Sequence, residues 1–355
     1  MGFLDKFKNN YESQDDTGNY KYITKLMIDN NYVVLDCDIV ISSIEKRLHK
    51  NGLPILDNVV INGAGHSIDA RGLARIFYIK EKNITLKNIT FKNGFCDIGG
   101  AIYVHESGSL KIKDCVFIDN KSETQGGAII NFGKVILENV DFRNNNSDEG
   151  GAVNNQIGGE LLLNNCSFKE NNSPGIGGAI INFGSLVISD SNFEDNNSNK
   201  HAGAIHNIRD GNLKISKTNF IKNKSSGDGG AINNNGNSLQ ADECKFIDNR
   251  SGTGGGAIVN WGDSIINNSE FKGNFSKSGY DINFQRGSLK LSDVKFNYIK
   301  EKSIFTANDD LVTIDNCEFI EYDEWDYSWL NDNQNSYLKI VNLMLMALPL
   351  TITLI

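Results

Sequence analysis

The sequence predicts an all-β fold: a single-stranded right-handed parallel β-helix of about ten coils, with an N-terminal cap of helix and strand and a C-terminal cap. Three observations predict it. First, GGAIINFGKVILENVDFRNN at 126–145 returns as GGAVNNQIGGELLLNNCSFKEN at 150–171, GGAIINFGSLVISDSNFEDN at 177–196 and GGAINNNGNSLQADECKFIDN at 229–249. Second, one phenylalanine marks each unit, at Phe91, Phe117, Phe142, Phe168, Phe193, Phe220, Phe246, Phe271, Phe296 and Phe319, with separations of 23 to 27 residues. Third, apolar residues stand seven and five positions before nearly every Phe, as in Val135 and Leu137 or Leu186 and Ile188. Alternation of that kind is the period of a half-buried strand, whereas a helix repeats its apolar face at three and four.

Taken in order, residues 1–19 are polar and predict a mobile segment. Between Tyr20 and Asn31, Ile23, Leu26 and Met27 fall at helical spacing and predict a short helix. VVLDCDIVI at 33–41 is rich in β-branched residues and predicts a strand. The charged SIEKRLHKNG then leads to LDNVVINGAGHSIDARG at 56–72, which reads as strand, glycine turn and strand. Residues 20–80 form the N-terminal cap and first coils, and 81–320 the repeats. The acidic and aromatic stretch 321–336 forms a C-terminal cap, and 337–355 a hydrophobic tail. That tail reads either as an anchor or as a flap over the last coil. As a helix, Ile340 to Ile355 would span only about 24 Å, against a hydrocarbon core of about 30 Å.

Each unit resolves into three short strands: one on the Gly-Gly-Ala-Ile box, one on the Leu-x-Ile pair and one on the Phe. Turns are expected after the box, before the Phe and after Phe-x-x-Asn. Stacked coils place like residues about 4.8 Å apart, so that columns become ladders and ten coils make a rod of about 45 Å. Ile102, Ile129, Val153, Ile180, Ile205, Ile232 and Ile258 form an inward apolar column. The next position (Tyr103, Ile130, Asn154, Ile181, His206, Asn233, Val259) varies and is expected to face outward. Asn131, Asn155, Asn182, Asn207, Asn234 and Asn260 line up beside it, and a second Asn column follows the Phe at 120, 145, 171, 196, 223, 249 and 274. Stacked amides can bond one another and the turn backbone. Seven of these post-Phe asparagines are the Asn of an Asn-x-Ser sequon. A stacked Asn with a turn-capping Ser is the expectation; a glycosylated ridge is the alternative.

Composition excludes some functions. A net charge of −9 without a basic cluster excludes a nucleic-acid partner. The opening MGFLDKFKNN carries charge where a secretory signal needs an apolar core, so no Sec-type signal is expected. Of six cysteines, Cys115, Cys166, Cys244 and Cys317 share the slot two before the Phe, where other coils hold Val140, Ser191, Thr218 or Val294. They are expected to be core thiols, with no metal or cofactor. The weak surface candidates are His201, His206, Arg209 and Asp210, a cluster read as solvated. No catalytic residue is identified: paired carboxylates for glycoside hydrolysis or a calcium cluster with a base would need acids, and the outward column from Tyr103 to Asn283 has none.

The Gly-Gly-Ala-Ile and Phe-x-x-Asn boxes resemble the repeats of chlamydial polymorphic membrane proteins. VVLDCDIVI, VVINGAGHSIDARGLARIFYI and ITLKNITFKNG before the first box are similar to the N-terminal region of adhesin-like, pectin-lyase-fold repeat proteins of methanogenic archaea, a resemblance covering roughly residues 20–320. GAGHSIDARG is also similar to the start of glycosidase β-helices, without the acids. The resemblance implies a non-catalytic binding or adhesion scaffold at the cell surface, meeting a protein or surface glycan through its flat faces, with membrane attachment through Ile340–Ile355. Two alternatives stand: a polysaccharide lyase or hydrolase of the same fold, and an intracellular structural protein, which the lack of a visible signal favours and which would be cytoplasmic.

Overall fold

The structure is a computed structural model that describes residues 18–299, 303–306, 311–322, 338–341 and 344–346. It is a right-handed parallel β-helix of about eleven turns. Among the described residues every strand pairing is parallel, between a strand and its counterpart one turn away, as Ile129 with Val153 and Phe142 with Phe168. The box strands form one sheet of eleven strands, from Leu53–Pro54 to Ile304–Thr306.

The Leu-x-Ile and Phe strands run as two adjoining ribbons of a second sheet, joined where Ser109–Ile118 and Lys134–Arg143 each run through both. A further ribbon was not anticipated. The two residues after the ladder Asn, such as Asn172–Ser173 and Asn197–Ser198, pair in parallel from coil to coil. The sequon is therefore a short strand rather than a turn.

Single residues in the left-handed region turn the chain at three corners of each coil. One stands three before the Phe (Asn139, Asn165, Asp190, Lys217), one two after it (Asn144, Glu170, Asp195, Lys222), and one opens the box (Gly126, Gly150, Gly177, Gly229). Asn and Asp tolerate this region, which explains their abundance at corners. The glycine of the box is required for a second reason as well. A Cβ on Gly126 would lie 2.2 Å from the Ile129 carbonyl oxygen.

The interior is a set of columns. The Phe rings from Phe91 to Phe319 stack with centroids 4.6–5.1 Å apart and planes within 17°, matching the spacing of parallel strands. Burying each such apolar side chain contributes roughly 1.5–3 kcal/mol, and only the neighbouring coils make that burial possible. Cys115, Cys166, Cys244 and Cys317 are buried in this core and unpaired, and desolvation pushes the first three thiols up to about 12, 12 and 11.

The post-Phe asparagines are fully buried. Asn171 donates from Nδ2 to the Phe142 carbonyl and to Asn196 Oδ1, both at 3.0 Å, while its own Oδ1 accepts from Asn145 Nδ2 at 2.9 Å. The same bonds recur from Asn120 to Asn274. An amide so enclosed offers nothing to a glycosyltransferase. The sequon serines are buried beside them, and Ser173, Ser225, Ser251 and Ser276 donate to carbonyls of the following turn. At the far end, Asp281 replaces the box alanine and accepts from Asn274 Nδ2 at 2.8 Å.

The N-terminal end is closed by two helices. Helix α1 (Lys21–Asp29) buries Tyr20, Ile23 and Met27 on the first coil. Helix α2 (Ser43–His49) lies in the charged segment and starts with a capping box between Ser42 and Glu45, a signature visible in the sequence but not used above. The expected strand 33–41 is two strands, Tyr32–Val34 and Ile39–Val40, while Val60–Asn62 and Ser67–Asp69 flank the expected glycine turn. At the other end, Leu338–Val341 and Met344–Met346 add another layer, with Ile340 over Ile314 and Leu345 over Phe319. The mobile segment expected at 1–19 (up to residue 17), most of the expected cap 321–336 and the last residues of the tail, 347–355, lie outside the described residues. Among the described residues no helix is long and apolar enough to cross a membrane.

Candidate functional site: a trough over the box sheet

From the box strand Ile129–Asn131 onward the residue after the inward Ile points out of the coil, yet it is buried, whereas Tyr78 and Tyr103 in the preceding box strands are half-buried. Ile130, Asn154, Ile181, His206, Asn233 and Val259 form this column, and none is more than 5% exposed. The cause lies in the glycine corners. The residues just before them, Gln125, Glu149, Ile176 and Asp228, with His201 before the equivalent Ala202, stand as a wall along one side, bridged in parallel from Gln125 to Glu149 to Ile176. On the other side stand the residues two positions further along each strand, including Phe132, Gln156, Phe183, Asn235 and Trp261. The two rows flank a shallow trough along the rod and cover its floor, the buried column.

Contacts cross it. Gln156 Nε2 donates to Asn154 Oδ1 at 2.9 Å and reaches Gln125 Oε1 at 3.3 Å on the opposite wall. The His201 ring lies edge-on to His206 with centroids 6.2 Å apart. His201 Nδ1 accepts from the Asp228 backbone N–H at 3.1 Å and stands 3.7 Å from the Asp228 carboxylate, which also accepts from Thr253 Oγ1. At the N-terminal end Tyr78 stacks on Tyr103, whose ring also lies 5.1 Å from the buried Arg75 guanidinium.

The floor carries an energetic anomaly. Among the described residues, five buried side-chain polar atoms have no hydrogen-bond partner in the protein, and three of them are here: Asn154 Nδ2, His206 Nδ1 and Asn233 Oδ1. Each such atom costs about 1–3 kcal/mol. The slot accepts apolar residues without difficulty, since Ile130, Ile181 and Val259 occupy it in intervening coils. Burial, and secondarily His201, pushes the His206 imidazole down to about 3, so it is neutral at ordinary pH.

Of the residues singled out from sequence, His201 and His206 meet in this trough, and His206 is buried on its floor rather than solvated. Arg209 stands at the rim with its guanidinium over the Phe183 ring at 5.6 Å. Asp210 is exposed in the next turn, where its carbonyl accepts from Asn212 and Asn237. Asn154, Asn233, Gln156 and Trp261 were missed. For Asn154 and Asn233 the one signal was the interruption of a largely apolar slot by amides; Gln156 and Trp261 lie outside that slot and gave none. Among the described residues no group of three or more His, Cys, Asp and Glu side chains is arranged to hold a metal ion.

Comparison with known proteins bears on the fold. Residues 74–228 match the family model described as right handed beta helix region. The A-module of the mannuronan C-5 epimerase AlgE6 of Azotobacter vinelandii is a similar solved structure, at 9% identity over 84% of this chain and 92% of that one, with a TM-score of 0.40. No curated protein gives a significant sequence match.

Proposed function

We propose that the chain is a non-catalytic β-helical binding scaffold, acting in adhesion at the cell surface, and that the trough over the box sheet is its binding face. One observation carries the reading: a floor that keeps three unsatisfied polar atoms in a slot that apolar residues fill elsewhere. Buried polar groups are normally paired, and an unpaired set aligned along one face is what a partner's polar groups would complete. The cell-surface part rests on the resemblance of the repeats to surface adhesins.

The test is retention of the full-length chain on target cells or polymer-coated beads. A variant carrying Asn154→Ala, His206→Ala and Asn233→Ala should lose retention, whereas Leu162→Ala, on the leucine ribbon, should keep it. Equal retention by both would remove the trough from the account. Fractionation with external protease on intact cells tests the location: protease-sensitive, membrane-associated protein supports surface display, and protected soluble protein opposes it.

A second reading, a polysaccharide-active enzyme, would use the His206 imidazole on the floor as its base; that imidazole is neutral, but burial pushes it down to about 3 and leaves it a weak base at ordinary pH, which counts against the reading. The floor column itself carries no carboxylate. Release of reducing ends or unsaturated sugars from polysaccharide, abolished by His206→Ala, would replace the binding reading.

A further inference from the structure

The partner of the trough can be specified by chemistry. We infer that it is an uncharged glycan, held in extended form along the rod, with its tightest subsite on the coils of His206, Asn233 and Trp261. This rests on the reading that the box face binds, and deepens it.

Four observations converge on that subsite. His206 and Asn233 are register partners on adjacent strands, each 4–5% exposed, and each carries an unpartnered atom. Their needs differ. Asn233 Oδ1 requires a donor, Asn154 Nδ2 further along requires an acceptor, and His206 Nδ1 is served by either according to its tautomer. A row of hydroxyl groups answers all three, because each hydroxyl both donates and accepts.

The second observation is charge. The floor from Tyr103 to Asn283 has neither carboxylate nor cation. The wall carboxylates are already engaged, Glu149 by Gln125 at 2.9 Å and Asp228 by Thr253 and the His201 side. An anionic polymer would meet these carboxylates and a chain of net charge −9. A cationic one would find no carboxylate on the floor.

The third observation is the aromatic edge. Trp261 follows the floor on the next coil and is 43% exposed, a large ring presented to solvent beside buried amides. An apolar face beside directed polar groups suits the two sides of a pyranose ring. The last is spacing. Coils rise about 4.8 Å, close to the length of one pyranose unit in an extended chain, so that successive sugars meet successive coils in register. A peptide's demand for paired backbone groups would find only side chains on this face, since the strands' own N–H and C=O groups are spent between coils.

His201 packs edge-on against His206, and the Gln156–Gln125 contact crosses the trough beside Asn154, so a bound sugar must turn the His201 ring aside and part the two glutamines. The two histidines therefore make opposite predictions. Asn233→Val and His206→Val put into the slot the kind of residue that Ile181 and Val259 already provide, and should raise Tm while weakening binding. His201→Ala uncovers the floor and should leave binding equal or tighter.

The experiment is native affinity electrophoresis of the full-length protein through gels containing neutral polysaccharides (β-glucan, mannan, galactan) or acidic ones (polygalacturonate, alginate). Titration calorimetry with neutral oligosaccharides of increasing length accompanies it. The expected result is retardation by at least one neutral polymer and none by the acidic ones. Affinity should grow with chain length over several units and fall tenfold or more in Asn233→Val and Trp261→Ala. Circular dichroism and Tm establish that these variants fold. Retardation by acidic polymers alone, or an Asn233→Val protein that binds a neutral polymer as well as the parent does, overturns the inference. So does retention on cells through the trough without retardation by any polymer, which leaves the binding-scaffold reading intact. If trough variants still adhere to cells, that reading falls as well.

Discussion

Asparagine serves the core ladder and the trough floor of this rod on opposite terms. In the core, Asn145, Asn171, Asn196 and their neighbours have both ends of each amide engaged, by a Phe carbonyl and by the next Asn, within 3.1 Å. On the trough floor, Asn154 and Asn233 each leave one atom unpaired. One side-chain type thus serves as structure in the first place and has no structural rationale in the second. The contrast teaches that residue identity in a repeat protein says little until the column it belongs to is known. Satisfaction of the polar atoms, rather than burial, separates the two.

The largest effect that would break the contrast is Asn196→Ala. It removes the acceptor for the Asn171 backbone N–H and the Asn171 amide, and the donor to the Phe168 carbonyl. With orphaned groups at about 1–3 kcal/mol each, a loss of about 4 kcal/mol is expected, read as a lowered urea midpoint. A loss below about 1 kcal/mol would mean that the core ladder is not more tightly bound than the floor.

Next comes the ladder's end. Burial pushes the Asp281 carboxyl up to about 7 from its ordinary 3.8, partly opposed by the Asn274 hydrogen bond. A raised folded-state value means that folding favours the protonated acid. Its contribution is complete below about pH 4 and is lost as pH rises through about 7, by up to about 4 kcal/mol. Asp281→Ala, which restores the box residue of other coils, should raise Tm at pH 8 and flatten the change between pH 5 and 8. An unaltered pH profile would show that Asp281 titrates normally.

On the trough side, Asn233→Val should stabilise by about 1 kcal/mol, since it removes a buried unsatisfied amide. Destabilisation would give that amide a structural role after all. The smallest effect is zero. The folded protein, exposed to an oligosaccharyltransferase with lipid-linked donor, should gain no mass at Asn145, Asn171 or Asn196, because the amides are buried.

Much of this was legible in advance. A Phe every 23–27 residues set the register, and the pairs Phe117–Phe142 and Phe193–Phe220 realise it. The middle residue of the Ile-x-Asn box strand was legible only in direction. It does point outward, but its cover comes from Gln125, His201 and Asp228, which stand at corners of their own or adjacent coils. No alternation within a strand reports such a neighbour. The strand in Asn-x-Ser was hidden for a related reason. Two residues show no period, and their pairing is defined only by the coil above and below. His206 looked like a surface histidine because it falls on the outward position of the box, beside Arg209 and Asp210 in the next turn.

The core ladder has one more property. Every amide from Asn120 to Asn249 donates to the Asn of the next coil and accepts from the preceding side, and the second column from Asn131 to Asn234 runs the same way. Dipoles aligned in this manner reinforce one another. The rod is therefore electrically polarised along its length, with the hydrogen-bearing end directed at the later coils. There the first column meets the carboxyl of Asp281, which accepts the last amide where the sequence of asparagines stops. Its two ends are thus electrically unlike, which gives the molecule a direction that its nearly uniform repeats do not otherwise declare.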